Sequence, residues 1–374
     1  MNFDKAMATP KLGFGLMRLP RLENGKYDLA QCKAMVDRFL EAGMTYFDTA
    51  YVYDNGDSEL LAGEALVRRH PRESFTLATK LNTRVAKDAQ DAKDQFSVSL
   101  ERTGAGYFDY YLLHAIQDSN IRSYDSYGIW DFVREQKAKG LVRHWGFSFH
   151  DSPQLLDRLL TENPDVDFVQ LQINYADWES PSVASRANYE VARKHGKPVV
   201  IMEPVKGGAL AVPPAPVQRV LDAAGAGVSH ASWAIRFAAS LEGVLTVLSG
   251  MSTLEQMEDN LSYMQSFQPL TQAEQAVIAD AQTALAGVPS IPCTGCEYCL
   301  AGCPQNIPIP RIFSARNQQL IWGQTERGLA SYQDAIQGKG KASDCIACGQ
   351  CERVCPQQIP VIARLAECTE AFGR

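Results

Sequence analysis

Eight short β-rich runs, separated by segments with apolar residues at helical spacing, constrain the fold of this chain more than any other feature. Eight strands alternating with helices over roughly 250 residues predict an α/β fold of the (β/α)8 TIM barrel type, with a doubly wound open sheet as the alternative. Several helical segments end at a glycine, which readily adopts a left-handed cap conformation. The predicted strands span residues 11–18, 44–50, 74–80, 107–115, 142–150, 167–175, 197–204 and 243–250.

Polar residues at the ends of these strands favour the barrel over the open sheet. Asp48, Lys80 and His114 each lie at or next to the C-terminal end of a predicted strand, and Tyr53 lies in the loop five residues beyond Asp48. Active sites of (β/α)8 barrels form at the carboxyl ends of the strands. We therefore expect these four side chains to converge on one rim, although they are far apart in the sequence.

The same four residue types suit proton transfer. Reduction of a carbonyl by hydride builds negative charge on the oxygen, so an acid must deliver a proton as the hydride arrives. Tyr53 can do so, because a tyrosine with a reference pKa of about 10 stays protonated in the ground state. Lys80 is expected to lower the pKa of that tyrosine, and Asp48 to keep the lysine charged. His114 would add a hydrogen bond that orients the carbonyl.

Several motifs around these residues resemble those of the aldo-keto reductase superfamily. They occur in the family's order and with family-like spacing over about residues 8–270. The resemblance implies that Asp48, Tyr53, Lys80 and His114 form a catalytic tetrad that reversibly reduces a small-molecule carbonyl to an alcohol. The motifs are FDTAYVYDNGDSELLAGEAL (47–66), LATK (77–80), YLLH (111–114), GFS (146–148), VQLQINY (169–175) and SGMSTLEQMEDNL (249–261).

The resemblance also implies a nicotinamide cofactor, NAD(H) or NADP(H). Ser148 and Gln170 would then hold the nicotinamide carboxamide, and Asn260 would reach the adenine. A basic residue in the loop PVKGGAL (204–210) could meet a cofactor phosphate. The candidate cofactor-binding residues of that loop are Lys206, Gly207 and Gly208.

The sequence departs from the family pattern at positions that concern the cofactor. Phe149 stands where many members have an asparagine, and Met202 stands where a tyrosine commonly stacks on the nicotinamide. Gly250 and Gln256 stand at the positions of two basic residues that grip the 2′-phosphate of NADPH. Since neither carries a charge that could pair with phosphate, we expect NADH to bind at least as tightly as NADPH.

Cysteines are concentrated in the last part of the chain. Of the ten, only Cys32 lies in the first 292 residues. Eight of the others form two runs of the form C-x2-C-x2-C-x3-C-P, repeated at an offset of 52 residues. Four thiolates in so short a run are typical of a 4Fe-4S cluster, whereas structural zinc usually takes paired CxxC motifs from separate segments.

The repeat predicts two 4Fe-4S clusters with exchanged ligands. In two-cluster ferredoxins the fourth cysteine of each run ligates the other cluster. One predicted site is therefore Cys293, Cys296, Cys299 and Cys355, and the other is Cys345, Cys348, Cys351 and Cys303.

The chain is thus expected to have two domains, residues 1–288 as the barrel and 289–374 as the cluster domain. The segment between the cysteine runs and the segment after the second run both read as helix. The tail therefore resembles the small, mainly helical ferredoxin modules of respiratory and heterodisulfide-reducing complexes. Cys32 and Cys368, which stand outside the runs, are interpreted as packed apolar side chains.

Composition excludes some partners. The formal net charge of −7 argues against nucleic acid, which requires a clustered basic surface. No run of about 18 apolar residues is available for membrane insertion. The N-terminal segment MNFDKAMATP lacks the apolar core of a secretory signal, so a cytoplasmic location is expected.

Two further interpretations remain open beside nicotinamide-dependent carbonyl reduction. In one, the chain is a reductase whose clusters deliver single electrons from an external carrier. That route needs a two-electron mediator such as flavin, or a radical step, because hydride chemistry moves electrons in pairs. In the other, the barrel is a non-catalytic scaffold of an electron carrier or subunit. The clusters could also serve only to stabilise the tail, since a domain of about 80 residues gains folding energy from metal sites.

Overall fold

Parallel strands close into a barrel in chain order, with the first strand paired to both the second and the eighth. The computed structural model describes residues 9–225 and 227–373. Within this part of the chain, all eight predicted strands are present, and the open-sheet alternative is wrong. The strands are β1 (Leu12–Gly15), β2 (Tyr46–Asp48), β3 (Thr76–Leu81), β4 (Phe108–Ile116), β5 (Val142–Phe149), β6 (Phe168–Gln172), β7 (Val199–Met202) and β8 (Val244–Ser249).

Helices follow the strands as the sequence pattern predicts. Residues 58–70 have apolar side chains at helical spacing, but the α-helix there covers only Asp57–Ala62 and continues as a π-helical turn over Gly63–Val67. The helices up to residue 286 are α1 (Leu29–Glu41), α2 (Asp57–Ala62), α3 (Ala89–Thr103), α4 (Asp118–Ser126), α5 (Ile129–Ala138), α6 (Pro153–Glu162), α7 (Ser185–Lys194), α8 (Ala215–Ala224), α9 (His230–Ala239), α10 (Leu254–Met264) and α11 (Gln272–Ala286).

The two faces of the strands belong to different apolar layers. Phe14 and Phe47 pack against Phe39 of α1, with ring centroids 5.6 and 5.3 Å from the Phe39 ring. Neighbouring side chains such as Tyr46 point the other way and belong to a separate cluster, as expected for the interior of a barrel. Because the strand ends are fixed between these two layers, polar residues at the ends have defined positions on the rim.

The C-terminal helices are α12 (Ile309–Trp322), α13 (Thr325–Ala335), α14 (Gln350–Arg353) and α15 (Val361–Phe372). The predicted helical segment between the cysteine runs is in fact two helices, because Gly323 takes a left-handed conformation with φ 63° and ends α12. Their core is small, and the rings of Tyr332 and Phe372 stack in it at 4.5 Å.

The sequence repeat in the tail is also a backbone repeat. Residues with positive φ occur at matching places in the two cysteine runs and in the PQNIP and PQQIP segments that follow them. The matched pairs, each 52 residues apart, are Gly295 and Ala347, Glu297 and Gly349, and Asn306 and Gln358.

The chain separates into two compact units, Met1–Ala211 with Ala224–Ile278, and Val212–Ala223 with Ala279–Arg374. The boundary predicted from the sequence, at residues 288 and 289, stays a prediction. Among the described residues, no helix is both long and apolar enough to cross a membrane. Most of the N-terminal segment that we interpreted as lacking a secretory signal lies outside the described residues.

Candidate functional site

A buried lysine connects two of the other predicted catalytic residues. Asp48 ends β2 and Lys80 lies near the end of β3, and these two strands are neighbours. The Lys80 ammonium donates to Asp48 Oδ1 at 2.5 Å, to the Thr49 carbonyl at 2.7 Å and to Tyr53 Oη at 3.3 Å. Three acceptors match the three donors of an ammonium group, so the buried charge is fully hydrogen-bonded.

The loop after β2 fixes the position of Tyr53. The Tyr53 N–H donates to the Ala50 carbonyl at 3.1 Å, and a 3-10 turn begins at Tyr53. The next residue, Asp54, has a positive φ of 49° and pairs with Arg21 at 2.7 Å. Tyr27 also donates a hydrogen bond to Asp54. The loop therefore has little freedom to move the tyrosine away from Lys80.

His114 completes the predicted group at the end of β4. Its ring centroid lies 5.6 Å from that of Tyr53, with the planes at 77°. The His114 carbonyl accepts a hydrogen bond from Tyr124 Oη at 2.7 Å, which anchors the backbone. His114 Nδ1 is buried and has no hydrogen-bond partner among the described residues. The four predicted residues thus lie together on one rim.

Burial and charge set the protonation states of these groups. Burial raises the pKa of Tyr53, and although Lys80 opposes this shift, the net direction is upward. Lys80 thus shifts the pKa of Tyr53 downward, as expected, but burial shifts it upward by more, and the pKa of Tyr53 is raised. Burial, and then the charge of Lys80, lower the pKa of His114 well below its usual range. Burial alone would lower the pKa of Lys80, but the interactions with Asp48 and Tyr53 together outweigh it, and the pKa is raised.

These directions define what the site can do at neutral pH. Tyr53 is protonated and can donate a proton, and Lys80 is charged and can stabilise the tyrosinate that remains. His114 is a neutral imidazole, which can donate a hydrogen bond to a carbonyl oxygen without delivering a full positive charge.

A cavity of about 740 Å³ opens above these residues. Ser148 and Gln170, which are paired neighbours on β5 and β6, form part of its wall. Ser148 Oγ accepts the Ala115 N–H at 2.7 Å and so keeps its own hydrogen free to donate. Gln170 Oε1 is buried without a partner in the described part of the chain. The wall therefore offers a donor and an acceptor side by side.

The other predicted cofactor-binding residues lie at different places around the cavity. Asn260 lines it, but its amide donates to Ser249 Oγ at 2.8 Å and accepts from Tyr263 Oη at 2.5 Å. Gly207 and Gly208 also line the cavity.

Lys206 is absent from the residues that line the cavity, and its ammonium pairs with Asp177 Oδ1 at 2.5 Å. The predicted contact between Lys206 and a phosphate stays a prediction.

Two charged residues near the tetrad were not found from the sequence. Arg18, in the loop after β1, and Glu203, directly after β7, both line the cavity and lie 3.9 Å apart. Both follow the carboxyl end of a strand, so the rule that found the tetrad could have found them. Gly250 allows Arg18 to approach, since a Cβ at position 250 would stand 3.3 Å from Arg18 Cδ.

The cysteines gather at two cavities in the C-terminal unit. Cys293, Cys296, Cys299 and Cys355 line one, which we call cavity A. Cys303, Cys345, Cys348 and Cys351 line the other, cavity B. Each cavity thus takes three cysteines from one run and the fourth from the other, as the ligand exchange predicts.

Each cavity brings together four cysteines, the number of thiolate ligands that a 4Fe-4S cluster takes. Apolar residues such as Ile309, which lines both cavities, provide the low-dielectric surroundings.

Comparison with known proteins identifies both parts of the chain. The sequence model of the Aldo/keto reductase family matches residues 11–282, so the chain belongs to this family. A 4Fe-4S dicluster domain matches residues 292–359. The predicted domain boundary falls between the end of the first match and the start of the second. The chain thus combines a domain of the Aldo/keto reductase family with a 4Fe-4S dicluster domain.

Individual relatives resemble the barrel part of the chain. An aldo-keto reductase of Mycolicibacterium vanbaalenii is 30% identical over 268 residues, which are 70% of this chain and 84% of that protein. An uncharacterized oxidoreductase of Bacillus subtilis, YqkF, is 28% identical over 149 residues, 37% of this chain and 44% of that protein. A probable aldo-keto reductase of soybean is covered over 48% of its length. The chain therefore spans less than half the length of YqkF and of this soybean relative.

Solved structures also resemble the barrel part of the chain. The holo form of aldo-keto reductase AKR11C1 from Bacillus halodurans has a TM-score of 0.59 at 24% identity, covering 72% of this chain and 91% of that one. An aldo-keto reductase from Klebsiella pneumoniae in complex with NADPH has a TM-score of 0.57 at 21% identity, and the likeness covers 72% of this chain and 90% of that one. At these identities the likeness shows the barrel fold.

Proposed function

We propose that the barrel reversibly reduces a small-molecule carbonyl to an alcohol, with Tyr53 as the general acid. The observation that carries this proposal is the buried chain of hydrogen bonds from Asp48 through Lys80 to Tyr53 at the floor of a cavity. Tyr53 donates its proton to the carbonyl oxygen, while Lys80 stabilises the tyrosinate. His114 donates a second hydrogen bond to the same oxygen and so orients the carbonyl.

We infer that a nicotinamide occupies part of the cavity and supplies the hydride. Its carboxamide carries one oxygen and two N–H donors, and it would match the hydroxyl of Ser148 and the unpartnered Oε1 of Gln170. The NADPH bound by the Klebsiella enzyme supports this choice of cofactor. Gly207 and Gly208 remain proposed contacts for the diphosphate, and Asn260 for the adenine.

The charges of the cavity favour NADH over NADPH. Among the described lining residues, Arg18 is the only lysine or arginine besides Lys80, which Asp48 neutralises. Besides Asp48, three carboxylates line the cavity, those of Glu203, Glu255 and Asp259. A 2′-phosphate would add negative charge to surroundings that are already acidic, without the paired cations that would compensate for it.

The clusters support a second candidate function, in which single electrons from an external carrier drive the reduction. Cysteines in the two cavities would hold 4Fe-4S clusters, which exchange electrons one at a time. Coupling to two-electron chemistry would require a mediator such as flavin or a radical step at the substrate.

One anaerobic experiment separates the two candidates. The purified holoprotein is assayed against a panel of aldehydes and ketones with NADH, with NADPH, or with its clusters chemically reduced and no nicotinamide present. We expect turnover with nicotinamide and affinity for NADH equal to or better than that for NADPH in direct titration. A tenfold preference for NADPH, about 1.4 kcal/mol, would contradict the charge argument. Turnover from reduced clusters alone would establish the second candidate instead.

A further inference from the structure

A largely buried ion pair outside the cavity lies next to the loop that carries Tyr53. Glu59 of α2 is completely buried, and its Oε2 accepts a hydrogen bond from Arg102 Nη1 of α3 at 3.0 Å. The other carboxylate oxygen of Glu59 accepts a hydrogen bond from Thr79 Oγ1 at 2.6 Å. Because Thr79 directly precedes Lys80 on β3, Glu59 ties α2 to the strand that supplies the lysine.

Arg102 contacts this loop on both sides of Tyr53. Before the tyrosine, Arg102 Nη1 donates to the Tyr51 carbonyl at 3.1 Å, and the guanidinium lies over the Tyr51 ring at 4.5 Å. The Tyr51 N–H donates to the Lys80 carbonyl at 3.1 Å, so Tyr51 connects Arg102 to the backbone of the lysine. After the tyrosine, a Cβ at Gly56 would stand 2.5 Å from Arg102 Cζ, so the guanidinium fills the space that the glycine leaves open.

This ion pair is better shielded from water than the other ion pair of the loop. The side chains of Arg21 and Asp54 are 42% and 31% exposed, whereas those of Arg102 and Glu59 are 22% and 0% exposed. Water screens the first pair, so its contribution is small. Breaking a buried and hydrogen-bonded pair is more costly. Arg102 and Glu59 are therefore the stronger restraint on the loop.

The hydrogen bond between Lys80 and Tyr53 is sensitive to such a restraint. At 3.3 Å it lies just beyond the usual range for a nitrogen donor and an oxygen acceptor. A further shift of the loop would break it, and misplacement of a reacting group by about 1 Å can cost roughly 10² in rate.

We propose that Arg102 and Glu59 are positioning residues that hold Tyr53 within reach of Lys80 and of the carbonyl oxygen. Arg102 acts through Tyr51 and Gly56, and Glu59 fixes the guanidinium of Arg102. The inference rests on the proposed function, in which Tyr53 is the general acid.

The test compares two arginines that have similar contacts at opposite ends of the barrel. Arg72 also pairs with a buried carboxylate, that of Asp109, at 2.7 Å, and its guanidinium lies over the Tyr107 ring at 3.8 Å. Asp109 is the second residue of β4, so this pair lies at the amino ends of the strands, away from Tyr53. Arg72→Lys is therefore the matched control for Arg102→Lys, since each keeps the charge and removes the planar group.

The first readout separates the rate of reduction from cofactor binding. In the full-length holoprotein, Arg102→Lys should lower the single-turnover rate of NADH oxidation by a carbonyl substrate roughly tenfold. The Kd of NADH, measured by titration, should stay within twofold, because Ser148 and Gln170 are untouched. Arg72→Lys should leave both quantities within twofold. The double variant Arg102→Met/Glu59→Gln removes the ion pair without leaving an unpaired buried charge, and it should lower the rate by roughly 10².

Hydrogen exchange gives a second readout that needs no substrate. Arg102→Lys should lower the amide protection of the peptide 49–57 roughly tenfold, and Arg72→Lys should leave it unchanged. If the wild type reduces no carbonyl with nicotinamide, the proposed function fails, and the protection of this peptide still decides whether Arg102 holds the loop.

Three results would overturn the inference. One is a single-turnover rate within twofold of wild type in both Arg102→Lys and the double variant. Another is an equal loss of rate in Arg72→Lys, or a weakening of NADH binding as large as the loss of rate, because either would show a general structural role. The third is unchanged protection of the peptide 49–57 in Arg102→Lys.

Discussion

The barrel site and the cluster sites are assembled in opposite ways. In the barrel, Asp48, Lys80 and His114 come from three different strands and meet only because the strands are neighbours in a closed sheet. In the tail, each cavity takes three cysteines from a single run and only the fourth from the other. The comparison shows that the barrel site depends on the whole fold, whereas most of a cluster site is specified by local spacing.

The two regions also differ in what stabilises them. The barrel rests on a large continuous apolar core formed by strands and helices, and its buried lysine is fully hydrogen-bonded. The core of the tail is small, and several of the residues that pack around it are cysteines of the two cavities. We therefore expect the barrel to keep its structure without the clusters, and the tail to depend on them.

The largest expected effect concerns Tyr53. Tyr53→Phe removes the proton donor and should lower carbonyl reduction by roughly 10² to 10⁴, as loss of a general acid usually does. Since the phenyl ring keeps the packing, the thermal unfolding of the barrel and the absorbance of the clusters should not change. Turnover is measured on a carbonyl substrate that the wild type reduces. A rate within twofold of wild type would remove Tyr53 from the mechanism.

Removal of the clusters should affect the tail and spare the barrel. Chelation of the iron under mild oxidation should lower the amide protection of α12, α13 and α15 by roughly 10², about 3 kcal/mol, because the small core cannot compensate for the lost metal sites. Hydrogen exchange measured by mass spectrometry reports both regions in one sample. Strand β4 serves as the internal control and should keep its protection. Equal loss in both regions would show that they unfold as one cooperative unit.

The smallest expected effect is in the pH dependence of reduction. Because the pKa of His114 is lowered and that of Tyr53 is raised, neither group should titrate between pH 6 and 8. The kcat/KM for reduction should therefore change less than about twofold across this range. It should fall at alkaline pH, as Tyr53 loses its proton, and oxidation of the alcohol should rise there because it needs the tyrosinate. A change in kcat/KM with its midpoint near pH 6.5 would mean that His114 titrates at its ordinary pKa.

Arg84 and His150 provide a control for the histidine prediction. Both contribute to lowering the pKa of His114, and both lie outside the tetrad. Arg84→Gln should move the His114 pKa upward without removing a group that contacts Tyr53 or Lys80. The titration of His114 can be followed by nuclear magnetic resonance of its imidazole ring.

The sequence by itself determined the fold class and the order of the strands, and it supplied the candidate residues of both predicted sites. These features depend on local information: the apolar periodicity of each segment, the polar residue at the end of each strand, and the fixed spacing of cysteines in each run. The exchange of the fourth cysteine could also be expected, since it follows from the repeat itself.

Only the tertiary structure decided how these residues are charged and which partners they have. Burial outweighs the effect of Lys80 on the pKa of Tyr53, and burial is a property of the folded barrel, not of the motif. Asp177 pairs with Lys206 although the two lie 29 residues apart, and Arg18 approaches Gly250 from the other end of the barrel sequence. Such long-range pairs leave no local pattern in the sequence, because each depends on which loops the closed sheet brings together.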